Sequence, residues 1–215
     1  YNHKYVKKQS ICACENTDQI SSFPNCQKSD KLIIFSQLND ELKNSQFDSL
    51  TVIIAGSSKE DEKHPTVSME SLNKKIVNFT SENSEGVTNG FITIDGTKQL
   101  EDPQLSETSF TNFDIYSKSG GASREYVFGE LSLISSNLID FDKSTVRINY
   151  FVCETAILKS FNEIYITDNL IITGDFNACE KEIHFVNDDN AEDLKAFIVE
   201  STNIKLGNGK VTIGK

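Results

Sequence analysis

Carboxylates at short spacing are the first chemistry the chain offers. Asp140 with Asp142, and Asp168 with Asp175, stand in or beside short apolar runs. Two acids on one strand face can divide acid and base roles, or share a cation, in the cleavage of a polysaccharide. Residues 187–193, NDDNAED, are the densest acidic stretch, and Asp188 and Asp189 within it can present oxygens to a hard cation or to a ligand's hydroxyls. Their order is not that of an EF-hand loop, because the glycine and the terminal bidentate glutamate are missing. Asp and Asn also fill turns, where their side chains bond the backbone two residues on, and a solvated turn is the simpler reading of each group. There is no Gly-rich phosphate loop, HExxH or GxSxG, and the histidines His3, His64 and His184 are scattered. We therefore assign no catalytic residue, no metal and no cofactor.

Cysteines and aromatics are the remaining reactive or adhesive groups. Cys12, Cys14 and Cys26 cluster in CACENTDQISSFPNC, far from Cys153 and Cys179. The spacing lacks a CxxC pair, and no histidine falls at ligand distance along the chain, so zinc is a poor fit. A secreted disulfide protein fits better than a cytosolic one with buried thiols. Cys153 and Cys179, each followed by Glu, are expected to form a disulfide, and one of the first three cysteines to lack a partner within the chain. The sequon Asn78-Phe79-Thr80 permits glycosylation in that compartment. There is no Trp; Tyr116, Tyr126, Tyr150 and Tyr165 have polar flanks, and an outward row holding Tyr116 and Tyr165 would make a docking strip.

The elements that must carry these groups follow from pattern. Only Arg124 and Arg147 are arginines and the net charge is −11, which excludes a nucleic-acid binder that neutralises successive phosphates. No apolar run approaches the roughly 20 residues of a membrane-crossing helix. Leu32, Phe35, Leu38, Leu42 and Phe47 recur at near-helical steps and predict one amphipathic helix. From Leu50 on, short β-branched and aromatic runs separated by Ser, Asn, Asp, Gly and Lys predict an all-β body. The organisation expected is a cysteine-containing lead-in with a capping helix over residues 1–49 and a β body over 50–215. A start at Tyr1 and a strand-like finish, NIKLGNGKVTIGK, suggest a piece of a longer chain, or an end covered by another chain.

Three segments share one phrase: LSLISSNLIDF from Leu131, IYITDNLIITG from Ile164 and FIVESTNIKLG from Phe197. Each is an apolar strand, a polar pause ending in Asn, and a second apolar strand. Asn89, Asn112, Asn137, Asn169 and Asn203 precede such strands at steps of about 23 to 34 residues, the span of one repeat in a solenoid. Asn enters the positive-φ region cheaply and its amide can bond in ladders, so Asn112, Asn137, Asn169 and Asn203 are expected at equivalent corners. The pattern resembles the right-handed parallel β-helix family, with its Asn-rich corners and N-terminal capping helix. The Asn, Lys, Ser and Ile content also resembles surface proteins of AT-rich protozoa. A β-sandwich, with EIYITDNLIITG closed as a hairpin at Asp168-Asn169, is the alternative. Parity favours the solenoid: run through a coil, Ile164, Ile166, Leu170 and Ile172 point inward, and Glu163, Tyr165 and Thr167 outward.

The function these readings imply is recognition rather than catalysis. The chain is expected to be part of an extracellular receptor, adhesin or lectin that binds a glycan or a surface protein through a sheet face and inserted loops. Tyr116, Tyr165, Asp188 and Asp189 are the candidate contacts. A polysaccharide lyase or glycoside hydrolase is the competing class, and it would require one indispensable cluster of charged residues.

Overall fold

A computed structural model describes residues 7–60, 63–73, 75–98, 106–119, 125–178, 183–184, 196–199, 204–205 and 211–212. The strands are, in order, β1 (Lys8–Cys14), β2 (Lys31–Ile34), β3 (Ser49–Ala55), β4 (Thr66–Ser68), β5 (Ile76–Glu82), β6 (Gly90–Asp95), β7 (Glu107–Thr111) and β8 (Phe113–Lys118). Three long strands follow, β9 (Glu125–Asp140), β10 (Thr145–Lys159) and β11 (Glu163–Ile172). Short strands β12 (Phe176–Ala178), β13 (Ile183–His184), β14 (Ala196–Val199), β15 (Ile204–Lys205) and β16 (Val211–Thr212) complete the set. The helices are brief: α1 (Pro24–Gln27), α2 (Leu38–Asn44) and α3 (Met69–Leu72).

Every described strand pairing is parallel, and all the strands belong to one hydrogen-bonded sheet. One row runs β2-β1-β3-β5-β7-β9-β10-β11, and a second runs β4-β6-β8-β9. The long strands join the rows: the Glu130–Ile134 part of β9 pairs with β7, while its Leu138–Asp140 part pairs with β8. The result is a single curled half-barrel.

Parity explains the curl. Phe110 and Phe113 are three residues apart and would face opposite sides of an uninterrupted strand, yet both are fully buried. Asn112 between them has φ 58°, which turns the chain and returns both rings to the interior, 5.9 Å apart. In β10 the pairs Ile148/Phe151 and Cys153/Ala156 are likewise three apart and buried, and the register shifts within each interval. A one-residue irregularity flips every later side chain to the other face and bends the strand. Phe79 stacks on Phe110 at 5.1 Å and Phe151 meets Phe176 at 6.3 Å, so aromatic rings fill the concave side.

This architecture corrects the β-helix expectation. The phrases at residues 131–141 and 164–174 are not two strands of separate sheets meeting at a corner; continuous strands β9 and β11 run through Asn137 and Asn169. Nor are the asparagines equivalent. Asn137 pairs with Ala156 and Asn169 with Tyr150, at different points of β10, while Asn112 lies between β7 and β8. Asn203 lies outside the described residues. The sandwich alternative has no support either, since parallel pairing leaves no hairpin at Asp168-Asn169. The predicted helix over 32–47 is also shorter than its periodicity: Lys31–Ile34 is drawn into pairing with β1, and α2 keeps Leu38 and Leu42, both fully buried.

A sheet edge must be covered, and here a side chain does it. Among the described residues, β6 is the strand that pairs with β4. Asn39 of α2 occupies the other side: its Nδ2 donates to the Thr66 carbonyl at 2.8 Å and its Oδ1 accepts from Ser68 N at 2.9 Å. At the N-terminal end, Cys12 and Cys26 are disulfide-bonded with Cα atoms 5.2 Å apart, pinning α1 over β1. Cys14 is a free, buried thiol whose pKa burial raises.

Candidate ligand groove

Strands β4, β6, β8, β9 and β10 present alternate residues outward, and their register lines these residues up across the sheet. One row is Thr66, Thr93, Tyr116, Asp140 and Lys159. Beside it run Phe91, Asp114, Leu138 and Ile157, and on the other side Ser68, Asp95 and Lys118. Their inward neighbours Ile92, Ile94, Phe113, Ile115 and Ile139 are buried at 1% exposure or less, so the outer rows rest on a packed platform. The loop after β3 adds Lys59 and His64 as a wall. Ser68 and Ile157 apart, these outward residues line a groove of about 590 Å³.

The groove's polar groups are held in place from behind. Asp95 Oδ1 accepts from Thr97 N at 2.9 Å and Thr97 Oγ1 at 2.6 Å. Burial works against its charge, but these donors and the nearby Lys118 hold its pKa below the ordinary value. Asp114 Oδ1 accepts from Asn89 Nδ2 at 3.1 Å, and Asp140 Oδ1 from Asp142 N at 2.9 Å. Asp142 in turn takes Ser119 N at 3.1 Å. The Tyr116 phenol has a raised pKa, first through burial and then through the negative charge of Asp142, a hydrogen bond to it, and Asp140. Tyr116 therefore stays protonated at neutral pH and keeps its O–H as a donor.

His64 sits edge-on to Phe91, with centroids 4.6 Å apart, and its Nδ1 lies 3.0 Å from the Ser58 carbonyl. A carbonyl only accepts, so this contact places the hydrogen on Nδ1 and leaves Nε2 as an acceptor in the neutral ring. Under the groove, the buried Tyr126 hydroxyl donates to the Lys118 carbonyl and fixes the end of β8. Burial is the first cause that pushes its pKa up to about 12. Gly96 makes this possible, because a Cβ there would overlap the Tyr126 ring.

Of the residues singled out in the sequence, Tyr116 and Asp140 line the groove and Asp142 stands behind it. Tyr165 does not join them. It pairs with Arg147 across β10 and β11, its ring lies 4.7 Å from the Arg147 guanidinium, and its hydroxyl donates to Glu163 at 2.6 Å. Arg147 also pairs with Glu125, so this cluster covers a different part of the sheet. Asp175 is exposed, and its carbonyl accepts from Ala156 N at 2.9 Å. Asp188, Asp189 and Cys179 lie outside the described residues, as does the side chain of Asp168. Cys153 is a free, buried thiol, pushed up to about 12 by burial first and then by Glu154. Asn78 lies within β5, where its Oδ1 accepts from Ser109 Oγ at 2.6 Å. Phe91, Asp95, Asp114, Lys118 and Lys159 went unnoticed in the sequence. The signal was there, in the alternation of FITID and FDIYSK, whose even steps put Phe91, Thr93 and Asp95, then Asp114, Tyr116 and Lys118, on one face.

Among the described residues no group of three or more His, Cys, Asp or Glu is placed to hold a metal ion. None of their helices is long and apolar enough to cross a membrane. Comparison of the chain with family models, curated proteins and solved structures finds no match.

Proposed function

We propose that the chain is a recognition module of an extracellular receptor, adhesin or lectin, and that the groove over β4, β6, β8, β9 and β10 takes a glycan. The carrying observation is the register of Phe91, Asp114 and Leu138 beside Thr93, Tyr116 and Asp140. A sugar ring has an apolar C–H face and a rim of hydroxyls; Tyr116 and Phe91 offer surfaces for the first, and fixed carboxylates offer acceptors for the second. Side chains held from behind lose little freedom on binding. A protein partner is less well matched. A stable protein interface covers about 800 Å² per partner around an apolar centre, whereas the exposed large hydrophobics among the described residues are Val87 and Ile157. The Cys12–Cys26 disulfide supports an oxidising compartment.

A glycan array probed with the purified chain, with reducing-sugar release measured in parallel, tests this reading. Binding to at least one glycan class is expected, at about millimolar to micromolar affinity per site, strengthened by presentation in many copies. Tyr116→Ala should lower it about two- to tenfold, since a stacked aromatic contributes on the order of 0.5–1.5 kcal/mol beyond its area burial. Binding that is indifferent to Tyr116→Ala and Asp114→Asn sinks the groove assignment. Cleavage of a polysaccharide that disappears in Asp140→Asn while the fold survives replaces recognition with catalysis.

A further inference from the structure

Resting on the glycan reading, we infer that the groove selects a sugar that carries an anionic group, a carboxylate or a sulfate ester. The charged side chains that line it are Asp95, Asp114, Asp140, Lys59, Lys118 and Lys159, with His64 beside them. By count the signs balance, but their commitments differ. Each carboxylate already accepts a hydrogen bond from within the protein, from Thr97, Asn89 or the Asp142 backbone. The three ammonium groups make no hydrogen bond and no ion pair within 4.0 Å among the described residues. Lys118 is the register neighbour of Asp95 and Lys159 that of Asp140, yet neither closes on its neighbour. Water satisfies these ammoniums while the groove is open. A ligand lying along the row displaces that water, and a neutral sugar returns nothing of equal strength to a compact, strongly hydrated cation. An anion on the sugar restores the lost interaction and adds charge-assisted hydrogen bonds. The Tyr116 and Phe91 surfaces set the ring, and Lys118, two residues on from Tyr116 along β8, and Lys159, two strands away in the Tyr116 row, read the charge at its rim.

Isothermal titration with three probes tests this: a galacturonic acid oligomer, the same oligomer with its carboxylates reduced to alcohols, and a sulfated galactan oligomer. At least one acidic probe should bind about fivefold or more tightly than the reduced one. Lys118→Gln with Lys159→Gln should remove most of that advantage while Lys118→Arg retains it, with circular dichroism as the check of fold. Which acidic probe wins separates carboxylate from sulfate. Equal or tighter binding of the reduced oligomer, still lost in Tyr116→Ala, overturns the charge selection and leaves the glycan groove standing. An acidic preference that survives the double lysine substitution also overturns it, because the charge is then read elsewhere. If none of the three probes binds, charge selection for these sugars is wrong, and the array decides the groove by itself.

Discussion

Asn137 is 2% exposed and uses its whole amide: Oδ1 accepts from Phe113 N at 2.9 Å, and Nδ2 donates to the carbonyls of Ile134 at 2.9 Å and Phe110 at 3.3 Å. It stitches the bend between β7 and β8 to the middle of β9. Asn137→Ala should cost about 1–3 kcal/mol of stability, because the buried Phe113 N–H is left without an acceptor. Asn137→Asp should be at least as harmful at neutral pH, since a carboxylate oxygen then faces two carbonyls. Urea denaturation read by tyrosine fluorescence checks both, and an unchanged midpoint in Asn137→Ala would contradict the role. The recurrence of Asn was therefore visible in the sequence and its use only partly so. Positive φ was expected at all of them; it occurs at Asn112, with φ 58°, and in the 131–141 phrase it moves to Ser135, with φ 62°, leaving Asn137 as a bracket. Flanking residues alike in type do not reveal which of several polar positions, Ser135, Ser136 or Asn137, turns and which one bonds.

At the scale of elements, burial periodicity was legible and pairing was not. Ile164, Ile166, Leu170 and Ile172 are buried, as alternation along one strand requires, because a side chain's face depends only on its own strand's parity. Which residue of β10 lies beside which of its neighbours changes at residues 148–150 and 153–155, where no Gly or Pro marks the register shift. The same blindness hid the groove, whose residues come from five strands. Two consequences of the observed pairing can be measured. Glu107 and Glu130 are opposite each other on β7 and β9, and burial first, then Glu107, holds Glu130 above the usual 4.5 despite a hydrogen bond from Ser132. The folded state thus binds this proton more tightly than the unfolded one, so stability falls as pH rises from about 4.5 through the folded value. Glu130→Gln should raise the melting temperature at pH 7 and coincide with the parent protein below about pH 4.5; an equal rise at both would deny the electrostatic cause. The Asn39 bracket on β4 gives the second. Asn39→Ala should destabilise by about 1–2 kcal/mol and speed hydrogen exchange at Ser68 before that at Thr93. Because β4 brings Thr66 to the groove, ligand affinity should fall with it, although Asn39 does not line the groove.

The whole molecule sets a conflict between its own field and its groove. A net charge of −11 repels an anionic sugar at long range, whereas Lys59, Lys118 and Lys159 attract it at contact. Salt decides which is felt, because the Debye length is about 30 Å at 10 mM and about 8 Å at 150 mM ionic strength. At 10 mM the approaching ligand senses most of the protein's negative charge, and encounter is slowed. Near 150 mM that distant charge is screened while the lysines, a few ångströms from the bound anion, still act. Above about 0.5 M their contribution shrinks as well. The association rate of an acidic oligosaccharide should therefore rise between 10 and 150 mM salt, and its affinity should pass through a maximum at intermediate salt, whereas a neutral oligosaccharide should show little change. This is opposite in sign to the binding of oppositely charged partners, which added salt slows from the start. Surface plasmon resonance at a series of sodium chloride concentrations measures both quantities. Lys118→Gln with Lys159→Gln should lower the maximum and steepen the low-salt rise, because the double change removes two local cations and makes the net charge more negative by two. A monotonic fall in affinity from 10 mM upward would mean that the groove's local field outweighs the net charge of −11 at every range, and that long-range repulsion does not govern the encounter.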